Sequence, residues 1–165
     1  MILGEHGVRE HLHLLAPAFA LVTAVWLLRL IVAAADSPAW LIRLVSVTVA
    51  TTVAVLLSVI LIHARAYGGY LSVVVASLLI NVWAQFLIIL SILFSILTGT
   101  NNIYTAPEFS FGANQWRHIH GHLTLSIGVG TLVAAAEGCL LLWLLRMLVP
   151  MGRDHGQNTV QGIRP

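Results

Sequence analysis

Four apolar runs, each longer than about 20 residues, dominate the chain and leave few folds open to it. A helix rises about 1.5 Å per residue, so a run of that length covers the hydrocarbon core of a bilayer. The runs cover about residues 12–35, 39–63, 69–98 and 119–149. Asp36-Ser37-Pro38 supplies a turn whose proline cannot continue the preceding helix. The stretch from His63 to Tyr70 combines Arg65, interfacial tyrosines and a Gly68-Gly69 break. Residues 99–117 form the long loop, and Pro150 stops the last run before a polar tail reaching Pro165. The runs are apolar nearly all round and lack the alternation of a barrel strand. The expected fold is all-α: an integral membrane four-helix bundle, one domain over residues 1–149, followed by the tail 150–165.

Composition excludes most alternatives. Only 8% of residues are charged, against about 25% in soluble domains, and 59% are hydrophobic. The net charge of +2 comes without a single lysine, which argues against a nucleic-acid partner. Cys139 is the only cysteine, so neither a disulfide framework nor a CxxC motif exists. Ala33-Ala34-Ala35 resembles a signal-peptide cleavage site. The run before it is too long, and Glu5 and Glu10 oppose a basic leader, so the first span is expected to be retained.

Orientation follows from arginine. Arg9, Arg65, Arg146, Arg153 and Arg164 fall on the side of the N-terminus, side A; Arg43 and Arg117 fall on side B. Side A, with both termini, is therefore expected to be cytoplasmic, in a prokaryotic plasma membrane.

Ionisable groups inside a span cost at least about 2.5–3.5 kcal/mol each and need a reason. Measured from side A, Arg29 falls ~24 Å deep, Glu137 ~18 Å, Asn81 ~17 Å and Gln85 ~23 Å. Thr51 and Thr52 share that layer. Two readings stand: a proton- or quinone-handling site around Glu137 with Arg29 as counter-charge, or polar glue between helices. Snorkelling of Arg29 toward side B is a third. Ser126, Gly130, Ala134 and Gly138 recur every four residues, a pattern that lets backbones approach. That stripe is expected to serve self-association or docking to other membrane subunits, with Glu137 turned toward protein.

Eight histidines are many for so charge-poor a chain. His118, His120 and His122 open the fourth run. His118 and His122 lie one helical turn apart, a two-ligand geometry, and His120 points elsewhere unless the first turn is unwound; a side-B copper or zinc site built on His118, His120 and His122 is one expectation. His13 and His63, at the side-A interface, could bracket haem b, with Arg9 and Arg65 near its propionates. Histidines that merely tolerate the headgroup zone are the alternative.

The sequence His120-Gly121-His122-Leu123, followed by Gly128, Gly130, Trp143 and Pro150, carries a local resemblance. Residues 116–150 resemble the stretch of haem–copper oxidase and nitric oxide reductase catalytic subunits in which a His-x-His motif opens a transmembrane helix. The resemblance implies His120 and His122 as haem ligands. Those subunits have further spans and a copper-site histidine pair that this chain lacks, so oxygen reduction is not implied. The expected function is a membrane subunit of a respiratory-type electron-transfer complex, with catalysis by this chain alone not expected. The alternatives are a non-catalytic accessory or assembly subunit, and a copper- or zinc-binding membrane protein.

Overall fold

The apolar runs become helices because a backbone in hydrocarbon must satisfy its own N–H and C=O groups. The structure, a computed structural model, describes residues 2–3, 6–106 and 114–149. A short antiparallel pair, β1 (Ile2–Leu3) and β2 (His6–Gly7), precedes α1 (Val8–Ala34). Then follow α2 (Ala39–Leu44), α3 (Val47–Ala64), α4 (Tyr70–Thr98), α5 (Gln115–Gly121) and α6 (Ile127–Leu148). A π-helical turn, His122–Ser126, joins α5 to α6. Four helical stretches, 9–34, 39–64, 70–98 and 115–148, are long and apolar enough to cross a membrane. The protein is an all-α bundle of four packed helices built to sit in a lipid bilayer.

Three boundaries differ from the sequence expectation. The second run is two helices, because Ser46 turns extended (φ −103°, ψ 123°) and its side chain caps α3 by accepting from the Val49 N–H. The fourth run begins at Gln115 rather than near 119, since the Asn114 side chain accepts from the Arg117 N–H at 3.2 Å. The first begins at Val8, and its second turn buries His11. The third run matches closely and stops at Gly99, whose φ of 69° suits glycine. The tail 150–165 lies outside the described residues.

Helices α3 and α4 form the centre, each packed on the other, on α1 and on α6. Val55, Val59, Val73 and Ile80 are fully enclosed there. Two indoles tie α1 to α4: Trp26 Nε1 donates to Ser91 Oγ and Trp83 Nε1 to Thr23 Oγ1, both at 3.0 Å. These bonds remove the cost of an unpaired N–H in hydrocarbon.

Contacts at each end fix the up-down order. On side A, His11 meets Tyr67 edge-on, His63 Nε2 donates to the Val149 carbonyl at 3.0 Å, and Arg146 donates to the Gly68 carbonyl at 3.1 Å. Burial, aided by the Glu10 carboxylate, pushes the Tyr67 phenol up. On side B, Asn102 Nδ2 donates to the Ser91 carbonyl at 2.7 Å and folds the start of the 99–106 loop onto α4.

This order makes a labelling prediction. In a Cys139→Ser background, Asn101→Cys should react with an impermeant thiol reagent added outside intact cells. Arg65→Cys should react only after permeabilisation. Reaction of both from one side would refute the expected topology.

Candidate functional site

The polar residues of the middle layer are brought together on the side-B half of the bundle. Asn81 and Gln85, one turn apart on α4, face the π-helical turn. Gln85 Nε2 donates to Asn81 Oδ1 at 3.4 Å, and Gln85 Oε1 lies 2.6 Å from His122 Nδ1. His122 Nε2 lies 2.8 Å from His118 Nε2, with the two rings stacked at 4.7 Å. The tautomers of the neutral pair follow from this chain. Because Gln85 Oε1 only accepts, His122 Nδ1 carries the proton. Its Nε2 must then accept from the His118 Nε2–H. His118 Nδ1 is left as the basic nitrogen of the pair.

Asn81 completes the chain at its other end. Its Nδ2 donates to the Ser126 carbonyl at 2.8 Å, with Thr131 Oγ1 at 3.0 Å and the Ile127 carbonyl at 3.3 Å. A π-helical turn disturbs the regular backbone ladder and is often found at functional sites. Here an amide from the neighbouring helix meets the carbonyls at the end of that turn.

Two adjoining chambers flank this chain. The first, about 480 Å³, is lined by Arg29, Tyr104, His118, Gly121 and His122, with exposed Leu125 and Val129 at its outer side. A Cβ at Gly121, which lines this chamber, would meet nothing within 4 Å. Tyr104 is only 6% exposed, yet its hydroxyl has no hydrogen-bond partner among the described residues. Burial pushes its phenol up, against an opposing pull from the Arg29 guanidinium 5.5 Å from the ring centre, so Tyr104 stays a neutral donor. The second chamber, about 300 Å³, is lined by Thr51, Thr52, Asn81, Gln85 and Glu137. Val47, Thr48, Ile88, Ser126 and Gly130 line both.

Several expected groupings are not formed. Glu137, expected to turn toward the bundle or a partner chain, is exposed in the single chain, and it lines the second chamber whereas Arg29 lines the first. His118 and His122 meet, but His120 is exposed and does not join them. Among the described residues no three His, Cys, Asp or Glu side chains gather around a point that a metal could occupy. His13 is exposed, whereas His63 is buried and bonded to Val149. Both ring nitrogens of His122 are engaged. His63 keeps its Nδ1 without a hydrogen-bond partner among the described residues. Glu108, a side-B carboxylate, lies outside the described residues.

The stripe of small residues is used within the chain. A Cβ on Gly130 would lie 3.0 Å from Asn81 Nδ2, and one on Gly138 would lie 2.8 Å from Val73 Cγ1. Ala134 and Gly138 are buried against α3 and α4 instead of being free for a second chain. Sequence reasoning missed Tyr104, because nothing local shows that a loop tyrosine folds into the bundle. Compared with known family models, curated proteins and solved structures, the chain matches none.

Proposed function

We propose that the protein is a membrane subunit of a respiratory-type electron-transfer system, and that its first chamber takes the headgroup of a quinone-class ligand. The observation that carries this reading is the buried Tyr104 hydroxyl, unpartnered among the described residues, lining the same chamber as His118 and His122. A quinone ring offers a carbonyl acceptor to that hydroxyl, and its apolar tail suits the side of the chamber marked by Leu125 and Val129. The chamber volume lies within the range of ligand pockets, about 300–1,000 Å³. Reduction of a quinone takes up protons, and the His118–His122 pair is a proton-exchanging group in the same chamber. Electrons would come from a redox centre on another subunit, so the chain alone is not an enzyme. A prokaryotic plasma membrane with both termini cytoplasmic belongs to the same reading.

The test is binding of a short-tailed quinone analogue to the full chain in nanodiscs, followed by calorimetry. Tyr104→Phe and His122→Ala should each weaken binding about tenfold, the cost of leaving a partner unpaired. Gly121→Leu should abolish binding by filling the chamber with the fold intact, and His120→Ala should change nothing. Failure of the unaltered protein to bind, or full binding by Gly121→Leu, would overturn the reading. A reduced-minus-oxidised visible spectrum and metal analysis of the same sample test the haem and copper or zinc alternatives.

A further inference from the structure

Glu137 stands at the middle of α6, about eleven residues from its side-A end at Leu148, or ~17 Å along the helix. It is exposed, and so are Val133 and Leu140, which share its side of the helix one turn away in each direction. On a span of this length and hydropathy that face lies at the depth of the hydrocarbon. It makes no hydrogen bond or ion pair to a described residue. A charged side chain at that depth is costly unless polar groups or water serve it.

The side chain is not sealed into lipid. It borders the second chamber, where Thr51 and Thr52 of α3 and Asn81 and Gln85 of α4 supply hydroxyls and amides. A polar space of about 300 Å³ is large enough for several waters. Among the described residues Glu137 is the one ionisable group lining it. It shares walls with the first chamber, where Arg29 from α1 and His118 and His122 from the fourth span are the charged or titratable groups, with Tyr104 from the loop. Cys139 is the remaining titratable neighbour on α6 itself.

We propose that Glu137 is a proton-binding site at the bilayer midplane, loaded from the chamber beside it. Loading moves one proton from a hydronium in the chamber to a carboxylate oxygen and leaves a water molecule; release is the reverse. The inference stands whatever ligand fills the histidine chamber.

An apolar carbodiimide tests it, because such reagents enter from lipid and add only to the acid form of a carboxyl group. With the full chain in nanodiscs, dicyclohexylcarbodiimide should give one adduct that maps to Glu137 by mass spectrometry. The rate should fall as the buffer is made alkaline, and a water-soluble carbodiimide should react far more slowly. Glu137→Gln should lose the adduct completely. Infrared difference spectra over the same titration should show a carboxylic-acid band that shifts in heavy water, vanishes in Glu137→Gln and moves in Glu137→Asp. No adduct at any pH, a rate without pH dependence, or an acid band that survives in a folded Glu137→Gln would overturn the proposal. Glu137→Gln should still bind the quinone analogue, which separates failure of this inference from failure of the chamber's proposed role.

Discussion

Gly138→Val is expected to destabilise the bundle by overpacking the contact of α6 with α3 and α4. A Cβ at this position would lie 2.8 Å from Val73 Cγ1, 3.2 Å from Val59 Cγ2 and 3.5 Å from Val55 Cγ1. The three valines come from α3 and α4 and are all fully enclosed. A β-branched side chain in a helix has essentially one rotamer, so none of the three can swing away. The helices must separate, and overpacking of this kind costs about 1–3 kcal/mol, here toward the upper end. Gly138→Ala should show a smaller loss, and Val73→Ala should restore part of it by removing the methyl group in conflict. Gly128 is the control: a Cβ there meets nothing within 4 Å, so Gly128→Ala should be neutral or gain up to about 1 kcal/mol of helix propensity. Unfolding in detergent, followed by circular dichroism, reads all four variants. Equal effects at Gly128 and Gly138 would show that helix propensity, not close packing, decides.

The contrast between these glycines also shows what the sequence can and cannot disclose. The spans and most of their breaks are legible because they depend on local properties, namely apolar length and the turn chemistry of Asp36-Ser37-Pro38 and Gly68-Gly69. The cap at Ser46 was available as a local signal too, since serine before an apolar run is a common helix start. The direction of Glu137 was not. A step of about 100° per residue brings Glu137 to within roughly 20° of Gly130, which suggests a shared buried face. The stripe drifts by roughly 40° at each four-residue step, so by Gly138 the packed face has turned roughly 100° from Glu137. How closely each part of the stripe meets α3 and α4 depends on how helices cross, and no spacing rule contains that. The pairing of His118 with His122 was readable from the i, i+4 interval. Its extension through Gln85 was not, nor was Tyr104, because both depend on contacts between distant segments.

Asn81→Ala is expected to loosen the junction between the π-helical turn and α6, and with it the histidine pair. The amide Nδ2 serves the Ser126 carbonyl at 2.8 Å, with Thr131 Oγ1 and the Ile127 carbonyl close by, and Oδ1 receives the Gln85 amide. Alanine would leave these groups without this partner inside an apolar bundle, at a cost of about 1–3 kcal/mol. The loss should travel. Gln85, freed from Asn81, no longer has a fixed amide to present to His122 Nδ1, and the stacked rings lose their orientation. Binding in the first chamber should therefore weaken although Asn81 lines only the second. Gly130 supplies the check on this account, because a Cβ there would press on Asn81 Nδ2 at 3.0 Å. Gly130→Ala should be destabilising in the native background and nearly neutral once Asn81 is alanine. The double variant should then be less destabilised than the sum of the singles by more than the roughly 0.5 kcal/mol expected of independent sites. Strict additivity would mean that Asn81 and the α6 backbone do not meet as described.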